Sequence, residues 1–219
     1  FLLTISSFLL VLYATFLTRS GILGDSSVHS FTDLGMSGQL VIFLMMFIVI
    51  AIILLITRWK ELPTSSKDDK VWTREFWMFM GALVFVLSGF QVLITTSIPV
   101  INALFGLNMA EPVDKITYYN SFQLPFAIVI GILTAFSQFL KYRKNDPAKA
   151  WKPIFRTFII SVVLGFALVF IFPLTPEAGY FETQGAKAYY SFFMYALLLI
   201  AGVYAVIANG AYVYQGLKG

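Results

Sequence analysis

His29 is the only histidine in a chain of 219 residues that contains no cysteine. It lies in the run Thr18-Arg19-Ser20-Gly21-Ile22-Leu23-Gly24-Asp25-Ser26-Ser27-Val28-His29-Ser30-Phe31. Val28 and Phe31 flank it with apolar surface, and Arg19 stands upstream as a permanent cation. A neutral imidazole between apolar walls suits a haem iron. An arginine suits a carboxylate such as a haem propionate, because its planar fork meets two oxygens at once. The same arginine would serve a lipid phosphate equally well. Tetrahedral zinc does not fit, since there is no cysteine and no second histidine to complete it. Disulfide frameworks are excluded for the same want of sulfur.

The elements that must carry this loop follow from composition. Hydrophobic residues make up 59% of the chain and charged residues 12%, with a mean hydropathy of +0.83. Soluble domains are typically about 25% charged. Soluble enzymes, disordered tails and nucleic-acid binders are therefore set aside, despite a pI of 9.2. Six apolar runs are predicted to cross a bilayer, at about 1–17, 38–57, 76–96, 123–140, 157–174 and 189–214. Each is near the roughly 20 residues that a hydrocarbon core requires. The expected fold is all-α and polytopic, a single transmembrane domain over 1–219.

Charges orient these spans. The connectors 58–75 and 141–156, with Lys218, hold 12 of the 15 basic residues, and the other connectors hold only Arg19, Lys115 and Lys187. All charges are expected in connectors or at the C-terminal end. The positive-inside rule puts the basic loops and the C-terminus in the cytoplasm and the His29 loop outside. Trp59, Trp72, Trp77 and Trp151 all fall in or beside the basic loops, where amphipathic rings settle at an interface. The net charge of +4 then reflects anchoring to the bilayer, and no nucleic-acid partner is needed to explain it.

Inside the spans the polar residues are neutral: Gln91, Thr95, Thr96, Ser137, Gln138 and Asn209. Interhelical hydrogen bonds are the expected use, with Ala201, Ala205 and Asn209 as a small-residue contact. Pro125 is read as an early-turn proline. The outer connectors supply Tyr118, Tyr119, Tyr180, Phe181, Tyr189 and Tyr190. These read as an interfacial belt, or alternatively as walls for a planar hydrophobic ligand. Met36 and Met109 are outward thioethers with weak ligand character.

The run FLTRSGILGDSSVHSF, residues 16–31, resembles the periplasmic segment of the CcmF-type cytochrome c haem lyases. There a transmembrane helix ends in Phe-Leu-(Thr/Val)-Arg-Ser-Gly-(Val/Ile)-Leu, followed shortly by Ser-Val-His-(Ala/Ser)-Phe. Both halves are present, as Phe16 to Leu23 and Ser27 to Phe31, with Gly24-Asp25 as a small insertion. The resemblance implies that His29 is a periplasmic axial ligand of the haem b being transferred. It implies a periplasmic haem chaperone and an apocytochrome c as partners, and thioether attachment to a Cys-x-x-Cys-His segment as the reaction. It also implies a bacterial inner-membrane location. The family's tryptophan-rich outer motif and further histidines have no counterpart here. Phe1 opens in mid-hydrophobic sequence without an initiator methionine or a basic leader region. The chain is therefore expected to be an internal piece of a longer polypeptide, with the second haem ligand outside it and no lyase activity alone. The competing readings are a transporter or permease fragment, using Gln91 and Asn209 with breaks near Pro99 and Pro173, and a structural membrane subunit.

Overall fold

A backbone in hydrocarbon must satisfy its own N–H and C=O groups, and a helix does so within one segment. The computed structural model of the chain describes residues 2–24, 30–31, 35–62, 71–141, 147–172 and 186–218. Among the described residues the regular elements are helical. They are α1 (Leu2–Arg19), α2 (Ser37–Arg58), α3 (Arg74–Thr96), α4 (Ile98–Phe105), α5 (Lys115–Ser137), α6 (Pro147–Ile171) and α7 (Ala186–Lys218). Six of them, all but α4, are long and apolar enough to cross a membrane. The fold is all-α, that of a multi-pass membrane protein.

The helices overrun the spans read from hydropathy. Lys149, Lys152 and Arg156 lie on α6, Arg74 and Glu75 open α3, Lys115 opens α5, and Arg19 and Arg58 close α1 and α2. The expectation that charges keep to connectors is corrected accordingly. Hydropathy reports where the hydrocarbon lies, whereas a helix continues into the headgroup layer as long as its hydrogen bonds close. Pro125 is likewise inside α5, not in an early turn, because that helix already begins at Lys115. The Asp114 carboxylate caps it, accepting from the Thr117 N–H at 3.0 Å. The Thr117 hydroxyl first, and its N–H second, hold the Asp114 carboxyl below the usual aspartate range.

The chain divides into two compact units, 1–67 with 96–110, and 68–95 with 111–219. In the first unit, α1 meets α2 through Phe8 and Phe47, whose rings stand edge to face at 5.3 Å. α2 has no polar residue from Leu40 to Ile56 and buries none of its residues. α4 is a helix that hydropathy did not separate from its connector. Pro99 sits in its first turn, and Gly106 ends it in the left-handed region at φ 64°. A β-carbon there would clash with the following carbonyl, so glycine is the residue that stops the helix.

In the second unit, α7 packs along both α5 and α6. Its buried row is Met194, Ala201, Tyr204 and Ala208, so the small-residue contact uses Ala201 and Ala208 and leaves Ala205 and Asn209 at the flank. Ala135 of α5 is fully buried against Tyr204 and Ala208. Glycines let the backbones approach. A β-carbon on Gly131 would lie 3.3 Å from the Ala201 Cβ, and one on Gly165 would lie 2.6 Å from the Ile200 Cγ1 and 3.2 Å from its Cα. Gly165→Val is therefore expected to loosen α6 from α7 and cost roughly 1–3 kcal/mol. Gly202→Ala, where nothing lies within 4 Å, should be near neutral. Denaturation of the two variants in mixed detergent micelles checks the difference.

Candidate functional site

The segment preceding His29 is built by the end of α1. Phe16, Leu17 and Ser20 are buried there. The Ser20 N–H donates to the Phe16 carbonyl at 2.9 Å, completing the last helical turn. The Ser20 hydroxyl then accepts from the Ile22 N–H at 3.3 Å. Gly21 turns the chain out at φ 72°, and Gly24 adds a second left-handed turn at φ 48°, its N–H bonded to the Gly21 carbonyl at 3.0 Å. The Arg-Ser-Gly sequence is thus a helix stop: a buried hydroxyl that receives the next amide and a residue that tolerates positive φ.

The chain returns to the same place seven residues later. The Phe31 N–H donates to the Thr18 carbonyl at 2.9 Å. The Arg19 guanidinium lies over the Phe31 ring, 4.3 Å from its centroid. One backbone bond and one cation–π contact therefore tie the two ends of the loop. An exposed contact of this type contributes about 0.5–1 kcal/mol. It uses none of the five guanidinium N–H donors, and among the described residues no carboxylate forms an ion pair with Arg19. Arg19 and Phe31 are both exposed. Phe31 was expected to wall the imidazole, and the contact with Arg19 is one the sequence reading did not anticipate. Val28 and His29 lie outside the described residues.

Two further features belong to the first unit. The Tyr13 hydroxyl, two turns below Ser20 on α1, donates to the Ser97 hydroxyl at 2.7 Å, fixing the start of α4. The Asn102 side chain grips Met109 from both sides, donating to its carbonyl and accepting from its N–H, each at 3.0 Å. This clamp was not read from the sequence, where Asn102 is one polar residue in an apolar run. Met36 and Met109 are exposed.

The intramembrane polar residues turn out to hold helices together. Gln123 of α5 donates to Gln91 of α3 at 2.8 Å and accepts from Ser88, and Gln91 in turn donates to Thr95 at 3.3 Å. Gln138 donates to Asn209 of α7, whose own amide donates to the Ala205 carbonyl at 2.7 Å. Asn120 donates to the Tyr195 hydroxyl at 3.3 Å. Gln91 and Asn209, the residues on which a permeation path would rely, are thus occupied in α3–α5 and α5–α7 contacts. Among the described residues no group of acids and histidines could hold a metal ion. Tyr118, meant for an outer belt, packs on Tyr119 and Phe122 at 5.7 and 5.2 Å. Tyr189 and Tyr190 are exposed, and Tyr180 and Phe181 lie outside the described residues.

Similarity to known proteins bears on the same segment. The cytochrome c-type biogenesis protein CcmF of Escherichia coli (strain K12) is 28% identical over 174 residues, which are 78% of this chain and 26% of that protein. The CcmF protein of Pseudomonas fluorescens is 30% identical over 151 residues, 68% of this chain and 22% of that protein. Over most of its length the chain is similar to CcmF-type cytochrome c biogenesis proteins. It spans about a quarter of the length of the curated CcmF relatives it matches. No family model matches the chain, and no solved structure matches it significantly. The left-handed turn at Gly21 starts the loop, and altering it has a measurable cost. Gly21→Ala forces an L-residue into that turn, at roughly 1–2 kcal/mol. Amide exchange at Phe31 should then speed up about 5- to 30-fold, while exchange in the middle of α3 is unchanged.

Proposed function

We propose that this chain forms part of a membrane haem lyase that holds haem at the periplasmic face for thioether attachment to apocytochrome c. The reading is supported by similarity to CcmF biogenesis proteins together with one structural feature, the tie between Thr18–Arg19 and Phe31. That tie gathers a cation and an aromatic ring at the ends of the loop that contains His29. His29 is two residues from Phe31, and two residues of chain reach at most about 7 Å. Within that length of chain an imidazole could meet the same ligand as the guanidinium.

The residues that would hold haem are His29 as axial ligand, Arg19 at a propionate, and Val28 and Phe31 as apolar contacts. The chemistry supplied by the bound porphyrin is that of its vinyl groups. Addition of a cysteine thiol across each forms one C–S bond, and the thiol proton passes to the neighbouring carbon. The protein's contribution is position: fixing one face of the ring while the Cys-x-x-Cys-His segment approaches. The second axial ligand lies outside this chain in this reading, and a periplasmic haem chaperone delivers the haem. Arg19 fits its part because its hydrogen-bond donors are left over by the ring contact, and a propionate accepts two of them.

The membrane is the bacterial inner membrane in this account. The loop containing His29 faces the periplasm, and the basic end of α2, the basic starts of α3 and α6 and the C-terminus face the cytoplasm, in keeping with the excess of lysine and arginine there. The test uses a full-length CcmF-type protein carrying this segment. His29→Ala is expected to abolish cytochrome maturation. Arg19→Ala should lower retained haem about tenfold, the scale of one charged hydrogen bond, with Arg19→Lys partly restoring it. Haem absorbance of the purified protein and the yield of matured cytochrome check both. Unchanged retention and yield in both variants would remove this loop from the site.

A further inference from the structure

α6 carries two opposed stripes. Ala150, Ile154, Thr157 and Ser161 are buried, and Gly165 continues the row against Ile200. On the other side, Lys152, Arg156, Ile159 and Val163 follow the i, i+4, i+7, i+11 spacing of a single helix face, and all four are exposed. Phe155 and Phe158 beside them are exposed as well. Two cations therefore stand at one end of a face that otherwise meets hydrocarbon. A guanidinium there is costly unless its stem lies on apolar surface and its head reaches a phosphate.

The level of that phosphate is marked. Trp151 is half exposed, and its indole is held edge to face by Trp72 at 5.7 Å. Indoles in this position sit at the headgroup layer. The rise of a helix puts the Arg156 Cα about 7–8 Å further into the span than that of Trp151, and Lys152 lies one turn above Arg156. This end of the second unit is strongly cationic. The Arg74 N–H bonds the Lys141 carbonyl at 3.2 Å, and its guanidinium lies 5.8 Å from the Tyr212 ring centroid. Among the described residues it combines Arg74, Lys141, Lys149, Lys152 and Arg156 with a single acid, Glu75.

We propose that Lys152 and Arg156 together hold the phosphodiester of an anionic phospholipid, with an acyl chain lying along Ile159 and Val163. Two cations on one phosphate favour a lipid of net negative charge over a zwitterionic one, whose ammonium they would repel. The test is native mass spectrometry of the whole chain from detergent, titrated with phosphatidylglycerol or with phosphatidylethanolamine. Phosphatidylglycerol should be retained several-fold more, and K152Q/R156Q should cut that retention about tenfold with unchanged helical circular dichroism. Arg58→Gln, on α2, should retain the lipid like the parent chain. Equal retention of the two lipids would overturn the proposal, in a comparison that needs no variant. So would an undiminished signal in the double variant, an equal loss with Arg58→Gln, or full displacement by millimolar inorganic phosphate, which would mark a free-anion site.

Discussion

Helices in a bilayer gain nothing from hiding apolar surface, because lipid tails are as apolar as leucine. What joins them is close backbone approach and hydrogen bonding, and this chain depends on both. Gly131 and Gly165 bring α5 and α6 onto α7, where Ala201, Tyr204 and Ala208 are buried. Gln123–Gln91 and Gln138–Asn209 add polar links between α3, α5 and α7. The large aliphatic residues do the opposite work. α2 buries none of its residues despite being the most apolar of the membrane spans. In a soluble protein that exposure would be a fault, whereas here it is the surface that meets lipid.

The same constraint explains why the candidate site stands where a helix stops. An ionisable group is expensive in hydrocarbon, so chemistry that needs a cation and an imidazole belongs at a boundary. α1 reaches its boundary at Arg19, whose charge also suits the helix C-terminus. Ser20 and Gly21 stop the helix, and the Thr18 carbonyl receives the Phe31 N–H. The loop is thereby anchored on the rigid end of a transmembrane helix. Such an anchor fixes the two ends of the loop, which is what the proposed positioning of a planar ligand demands.

Much of this was legible in the sequence. Long apolar runs and sparse charge specify six membrane helices, since the requirement to cross hydrocarbon is a matter of length and composition alone. The pairing of Gln91, Gln138 and Asn209 was also legible, because an amide in lipid needs a partner. Which partner was not: Gln123 meets Gln91 only through the register of α3 on α5. Helix ends were misjudged wherever the helix continues past the hydrocarbon, as at Lys149 to Arg156, where hydropathy falls but hydrogen bonding does not. The Ala201 stripe was read with a period of four, while the packed row runs through Tyr204 and Ala208. A tyrosine can lie flat in a helix contact that spacing alone assigns to alanines. At the site, the Arg-Ser-Gly motif was recognisable, but the stacking of Arg19 on Phe31 depends on the chain's return and has no local signature.

The central claim is that His29 binds haem iron at the end of α1, and ligand rescue tests it most directly. A full-length CcmF-type protein carrying this segment with His29→Gly should lose the low-spin haem spectrum of the parent. Added imidazole should restore that spectrum while leaving a His29-containing control unaltered. A His29→Gly protein that keeps the parent spectrum without imidazole would show that the iron takes its ligand elsewhere, and would contradict the account.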